Sequence, residues 1–194
     1  TQNCKSLSMI QVEGNVKEYV NEIAGTKEPM KDFWPAVEKR WKQLGSEKKF
    51  AEEMLSMRER IATERVPPGE EERAYKTRRG GLIDVEFTAQ AWQMRQGLVE
   101  TVTGEVLKKM AKTEKGAAQV LQAGLNFWST AEWWLRLDEG RGGSLLPKPG
   151  LDRDWLAKKC GAVDAPALMK AGSDMAREVR GAYEQITGKL VAKS

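Results

Sequence analysis

The fold of this chain is decided by residues 76–96, which read KTRRGGLIDVEFTAQAWQMRQ. A basic turn that contains Gly80 and Gly81 runs directly into a segment whose apolar residues occupy more than one helical face. Glycine permits backbone angles that a side chain would forbid, and a helix that is apolar nearly all round is a buried one. The stretch therefore predicts a central, buried helix with a glycine turn at its start.

Outward from this stretch, apolar residues recur at intervals of three and four, and no segment shows the strict alternation of a strand. Residues 1–32 are predicted to form an N-terminal helix and a linker around Pro29, and residues 33–194 a helical bundle that completes one structural domain. The predicted fold class is all-α, a bundle of roughly six to eight helices. The glycine turn is not a Walker loop, because no Lys-Ser or Lys-Thr follows it, and it is not a G-x-G-x-x-G motif.

Several details of the packing follow from the spacing. Ser46 is predicted to cap the helix that spans about residues 46–65. That helix is expected to turn Met54, Met57 and Ile61 inward and to carry Arg58 on its charged outer face. The last helix, from Asp164 onward, is expected to bend or break near Gly172 because glycine is a poor helix former. The aromatic residues expected to share one core are Phe87, Trp92, Trp128 and Trp134.

Composition excludes some classes of chemistry. The chain has 194 residues and a net charge of +4. Because acidic and basic residues are interleaved, this basic excess is only a weak argument for a nucleic-acid partner. It has no histidine, which removes Ser-His and Cys-His catalysis and imidazole zinc sites. Cys4 and Cys160 fit no metal-ligand spacing. No apolar run has membrane-spanning length and no signal peptide is evident, so a cytoplasmic protein is expected. No residue of the chain is expected to be catalytic or to bind a metal.

The candidate site lies at the start of the central helix. Arg78 and Arg79, with Gly80 and Gly81, could hold an anion through guanidinium groups and helix N–H groups, or could face another domain. The alternative is a tight turn that allows two helices to pack closely.

Asp84 and Glu86 are the second part of this candidate site. Because they stand two residues apart on a helix, they point in different directions. One carboxylate is expected to face a cleft and the other to bond Arg78 or Arg79, whereas the alternative is helix-end electrostatics. A metal shared by these two acids is not expected. On a later helix, Trp134 is expected in the core and Trp133 at a rim.

Residues 79–87, RGGLIDVEF, followed by Gln90, resemble the GG-[IL]-x-[DE]-[IV]-E-F-x-x-Q signature of the glutamate–ammonia-ligase (glutamine synthetase) adenylyltransferases. Weaker similarities follow in the same order over about residues 33–183. They are MRERIA at 57–62, Glu132 with Leu135-Arg136, Leu146-Pro147, and Leu156-Ala157 with Gly161. Two departures stand beside the signature: Ala74-Tyr75-Lys76 where the family has Asp-[IL]-Lys, and Arg78 in place of a glycine.

The resemblance implies the helical domain that follows a nucleotidyltransferase domain in these enzymes. For the full-length enzyme it implies ATP and Mg²⁺, held by a Gly-Ser…Asp-x-Asp strand that this sequence lacks, so the chain alone is expected to be inactive. It implies three partners: the nucleotidyltransferase domain of the same protein, glutamine synthetase and a PII-type regulator. A stand-alone helical adaptor that binds a protein partner without nucleotidyl transfer remains the alternative. A nucleic-acid-binding bundle is the least supported reading, and no membrane partner is expected.

Overall fold

The computed structural model describes residues 33–139 and 143–192. Within these ranges the chain forms α-helices and no strand, so the all-α prediction is confirmed for this part of the molecule. The helices are α1 (Phe33–Ser46), α2 (Lys48–Glu64), α3 (Leu82–Gln96), α4 (Thr103–Met110), α5 (Lys115–Glu139), α6 (Leu151–Lys159) and α7 (Ala165–Ala192). The helix and linker predicted in residues 1–32 lie outside the described residues. None of the described helices is both long enough and apolar enough to cross a membrane.

Helix α3 is the centre of the bundle, as the sequence predicts. It contacts α1, α2, α4, α5 and α7. Its buried residues lie on more than one face, which explains why its sequence lacks a polar side: they are Leu82, Asp84, Val85, Thr88, Ala89, Ala91, Trp92 and Gln93. Gly97 ends the helix in the left-handed conformation, with φ of 64°.

The core has two clusters, so the prediction of one shared aromatic core is wrong. Trp92 packs in the first cluster, with Leu107, Leu121 and Ile186 among its neighbours. Trp128 lies in the second cluster, which includes Tyr75, Leu82, Leu135, Leu156 and Leu168, and Trp134 packs against it, whereas Phe87 is part of neither set. The physical reason is the length of α3. Leu82 and Trp92 are ten residues apart, which separates them by about 15 Å along the helix axis.

Helix α7 is continuous from Ala165 to Ala192, so the expected break near Gly172 does not occur. Gly172 is buried, and a β-carbon there would lie 3.3 Å from Trp128 Cη2. Packing against the tryptophan ring offsets the low helix propensity of glycine. At the start of α7, Asp164 Oδ1 accepts a hydrogen bond from the Ala167 N–H at 2.7 Å, as a capping side chain does.

Helix α2 differs from its prediction in two ways. Met57 is 48% exposed, whereas Arg58, expected on the outer face, is completely buried. A buried arginine needs a counter-charge, and Asp84 of α3 supplies it. Ser46 does not cap α2: it is the last residue of α1, where its hydroxyl donates to the Gln43 carbonyl at 2.7 Å. Glu47 precedes α2 in an extended conformation and makes no side-chain cap.

Candidate functional site

The glycine turn brings the start of α3 into direct contact with α7. Gly80 has φ of 77°, and a β-carbon there would lie 1.8 Å from the carbonyl oxygen of Ala176. A β-carbon on Gly81 would lie 2.6 Å from the Tyr75 carbonyl oxygen. The Gly80 carbonyl accepts a hydrogen bond from Trp128 Nε1 at 3.2 Å. The two glycines therefore allow a close approach of backbones that no other residue would permit.

The N–H groups at the start of α3 are bonded within the chain. The Gly80 N–H donates to Asp84 Oδ2 at 2.5 Å. The Leu82 N–H donates to the Tyr75 carbonyl at 3.0 Å, and the Ile83 N–H to the Lys76 carbonyl at 3.1 Å. Since these donors are already used, an anion at this turn would be held by arginine side chains rather than by the helix N-terminus.

Asp84 forms a buried ion pair with an arginine that the sequence did not single out. Arg58 Nε donates to Asp84 Oδ1, and both side chains have no exposed surface. Arg180 Nη1 of α7 lies 3.6 Å from Asp84 Oδ2. Burial raises the pKa of Asp84, while Arg58, the Gly80 N–H and Arg180 oppose that shift. The expected bond from this carboxylate to Arg78 or Arg79 is thus corrected: its partners come from α2 and α7.

Arg78 and Arg79 have different partners near this pair. The Arg78 carbonyl accepts a hydrogen bond from Arg58 Nη2 at 2.7 Å. The Arg78 guanidinium is half-buried and donates to the Glu72 carbonyl at 3.1 Å, and burial lowers its pKa. Arg79 is 60% exposed and pairs with Glu59 at 2.7 Å. Both arginines border a surface cavity of about 260 Å³ between α2 and the turn.

Glu86 faces a different region from Asp84. It lies in a groove of about 600 Å³ on the α3–α5 side, which we call the α3–α5 groove. Burial, and next the nearby Glu132, raise the pKa of Glu86, with Lys76 opposing. The residues that line the α3–α5 groove are Lys76, Leu82, Ile83, Glu86, Ser129, Glu132, Trp133 and Arg136.

The acids around the turn do not fit the magnesium site that the family resemblance implies for a full-length enzyme. Within residues 33–139 and 143–192, no three His, Cys, Asp or Glu side chains are grouped so that they could hold a metal ion. Asp84 faces Arg58, and Glu132 faces Lys76 at 2.5 Å and Arg136 at 2.6 Å. A divalent cation would have to displace these basic side chains, so no step of Mg²⁺ chemistry is assigned to the described residues.

Arg58 and Arg180 are the site residues that the sequence analysis missed. Arg58 was predicted on the outer face, although it stands four residues after Met54 and three before Ile61, a spacing that also fits the inner face. This spacing could have indicated that Arg58 is buried, but Met57 also fits the inner face and is apolar. Arg180 has a local partner in Glu184, four residues along α7, but its partners at the site, Glu59 and Asp84, lie far away in the sequence.

Comparison with known proteins tests the resemblance. The family model described as GlnD PII-uridylyltransferase matches residues 48–187, from the first residue of α2 to near the end of α7. The bifunctional glutamine synthetase adenylyltransferase/adenylyl-removing enzyme of Nocardia farcinica (strain IFM 10152) is 31% identical over 140 residues. The chain belongs to the glutamine synthetase adenylyltransferase family. The matched region contains the glycine turn, the Arg58–Asp84 pair and the α3–α5 groove.

The match to the adenylyltransferase relative covers most of this chain but a small part of the relative. The alignment covers 67% of the chain and 14% of the Nocardia farcinica relative. The two descriptions share nucleotidyl transfer, since one names a uridylyltransferase and the other an adenylyltransferase. They differ in the protein that is modified, which is PII in the first and glutamine synthetase in the second. Both comparisons therefore indicate a nucleotidyltransferase family, and they name different proteins as the target of the transfer.

Proposed function

We propose that this chain is the helical, non-catalytic domain of a glutamine synthetase adenylyltransferase/deadenylylase. In this role it supports ATP-dependent adenylylation of glutamine synthetase in nitrogen regulation, in the cytoplasm. The observation that supports the proposal is the coverage of the match, which takes in most of this chain but 14% of a bifunctional relative. The geometry agrees with it, because Asp84 and Glu132 are held by arginine and lysine, and the described residues contain no group of three acids placed to bind Mg²⁺.

In this proposal the chemistry belongs to a nucleotidyltransferase domain of the same protein, which binds ATP and Mg²⁺. The helical domain packs on it and helps to present glutamine synthetase, and a PII-type regulator is a further partner. The turn at residues 78–81 is the proposed contact with the catalytic domain. Arg79 supports this assignment, since it is 60% exposed beside a surface cavity while the turn behind it is fixed by α7.

A reconstitution assay tests the proposal. The chain is incubated with labelled ATP, Mg²⁺ and glutamine synthetase, first alone and then with the nucleotidyltransferase domain encoded in the same reading frame. Label on the synthetase is expected only when both are present. Label with the chain alone, or equal label with and without the chain, would overturn the proposal.

The turn is tested separately with Arg79→Ala in the full-length enzyme. The change should leave the unfolding free energy within about 0.5 kcal/mol of wild type, as for most surface substitutions, and should reduce transfer to the synthetase. Arg177→Ala is the matched control, because Arg177 is an exposed arginine elsewhere, paired with Asp174 on α7. Normal transfer by the Arg79→Ala enzyme would show that the turn has only a structural role.

A second candidate function has its own observation, the description of the matching family model. In that case the chain would support transfer of a uridylyl group to PII. The same assay with labelled UTP and PII, run in parallel, separates the two. Label that appears on PII from UTP, and not on glutamine synthetase from ATP, would replace the first proposal by the second.

A further inference from the structure

The α3–α5 groove contains a carboxylate that is not bonded to any other side chain among residues 33–139 and 143–192. Glu132 is neutralised on two sides, by Lys76 at 2.5 Å and by Arg136 at 2.6 Å. Glu86 is half-buried in the same groove, and within the described residues its carboxylate makes no hydrogen bond and no ion pair. Both basic side chains that line the groove are thus bonded to Glu132. Lys76 offsets part of the charge of Glu86 from a distance, but neither cation is bonded to it.

Along α5, the edge of the α3–α5 groove carries an exposed tryptophan, and an exposed leucine follows it on the same helix. Trp133 lines it and is 55% exposed, although its ring packs edge-on against Trp134, with centroids 4.6 Å apart. Leu137, one helical turn further along α5, is 58% exposed. Exposed tryptophan and leucine beside one another are uncommon on a surface that meets only water, and they mark contact surfaces.

We propose that the α3–α5 groove binds a polypeptide segment that presents an arginine, with its guanidinium on Glu86 and its neighbouring apolar residues on Trp133 and Leu137. The segment belongs to the nucleotidyltransferase domain, and the inference rests in this respect on the proposed function. The length of the Nocardia farcinica relative, of which this chain matches 14%, leaves ample polypeptide to supply it. The groove is then a second interdomain contact, distinct from the turn at residues 78–81.

The chemistry of the α3–α5 groove favours arginine over other ligands. A nucleotide is disfavoured, because its phosphates would meet Glu86 while both nearby cations are bonded to Glu132. A divalent metal is disfavoured by the same cations. Arginine suits both parts of the groove: its planar guanidinium forms paired hydrogen bonds with a carboxylate and stacks on tryptophan, which the compact ammonium of lysine does less well.

The test uses the full chain and three capped peptides, acetyl-Leu-Arg-Leu-amide and its Lys and Gln counterparts. Binding is followed by NMR at the Trp133 indole N–H and the Glu86 carboxyl carbon. The arginine peptide is expected to shift both signals saturably, more tightly than the lysine peptide, and the glutamine peptide to shift neither. Glu86→Gln, which keeps the size of the side chain, should weaken binding roughly tenfold or more, equivalent to about 1.4 kcal/mol.

Glu178→Gln is the matched control, because Glu178 is an exposed glutamate on α7 outside the α3–α5 groove, and this variant should bind as wild type does. A far-ultraviolet circular dichroism spectrum confirms that each variant is folded. Equal binding of all three peptides, equal binding by Glu86→Gln, or no saturable shift with the arginine peptide would overturn the inference. If transfer is reconstituted but the arginine peptide does not bind, the inference about the α3–α5 groove fails and the proposed function stands. If the peptide binds but transfer is not reconstituted, the proposed function fails and arginine binding by the groove stands.

Discussion

Asp84 is held by cations from two other helices, Arg58 of α2 and Arg180 of α7. Because Arg58 and Asp84 are both fully buried, removing either charge leaves the other without compensation in a medium of low dielectric constant. Arg58 also donates to the carbonyl of Arg78, so the pair fixes the glycine turn to α2. Asp84, the first of the two acids in the family signature, therefore helps to hold the glycine turn against α2.

Replacing Asp84 with asparagine tests this role. The variant should lose roughly 3–5 kcal/mol of unfolding free energy, the cost of an unpaired buried charge. Urea unfolding at neutral pH is the measurement, with Glu178→Gln as a surface control that should change little. A loss below about 1 kcal/mol would mean that water reaches Arg58.

Glu86 should show the opposite behaviour from a well-paired acid. Burial, and then Glu132, raise its pKa above the ordinary value of 4.5. The folded domain therefore takes up a proton at a pH where the unfolded chain is still ionised, and falling pH stabilises it until 4.5 is passed. Glu86→Gln should accordingly be more stable than wild type at pH 7, with the difference shrinking as the pH approaches 4.5.

Glu59 provides the control of opposite sign. Burial opposes the shift, but the hydrogen bonds from Arg79 and Arg180 hold its pKa below the ordinary value of 4.5. Its contribution to stability is present above that value and is lost as the pH falls below it. Glu59→Gln should therefore be less stable than wild type at pH 7 and should converge with it in acid. Parallel pH series of urea unfolding check both variants, and the same sign for both would contradict the account.

At the scale of elements, the contact between the glycine turn and α7 depends on Gly80. Gly69 offers a matched comparison: it has φ of 76° against 77° for Gly80, but a β-carbon on it would meet nothing within 4 Å. Gly69→Ala should cost about 1–2 kcal/mol for the left-handed backbone. Gly80→Ala adds a collision with the Ala176 carbonyl and should cost about 1–3 kcal/mol more. Equal losses in urea unfolding would show that α7 moves aside freely.

The elements were largely predictable because periodicity and stop signals are local properties of a sequence. The helix predicted over about residues 46–65 is observed as Lys48–Glu64, within two residues at each end. What failed depends on partners elsewhere. The expected break at Gly172 is prevented by Trp128, and the burial of Arg58 depends on an acid 26 residues away. Local propensity contains no information about either partner.

At the scale of the whole molecule, α7 joins the two core clusters. Val179, Ala182 and Ile186 belong to the first, Leu168 and Ala176 to the second, and Met175 packs against both. Because one helix contributes to both clusters, neither can lose its packing without disturbing the other. Urea unfolding followed by tryptophan fluorescence and by circular dichroism at 222 nm should therefore give one shared midpoint. Two separate midpoints would show that the clusters unfold independently.

The fold class and the family were both accessible from the sequence, because the glycine signature and the helical periodicity are contained in single stretches. The division of the candidate site was not. Asp84 and Glu86 are two residues apart in the chain, yet one joins a buried network with Arg58 and the other faces the α3–α5 groove with Glu132. Which acid is anchored depends on the packing of α2 and α5 against α3, and only the structure shows it.

The internal bonding of the glycine turn has a consequence for amide hydrogen exchange. Surface connections usually exchange within the time of local fluctuations. Here the N–H groups of Arg78, Gly80, Leu82 and Ile83 all donate within the chain, behind a backbone contact with α7. Their exchange should require the whole domain to open, so these amides should be as slow as those in the middle of α7. In a map of exchange rates, the glycine turn and the first residues of α3 would be indistinguishable from the core.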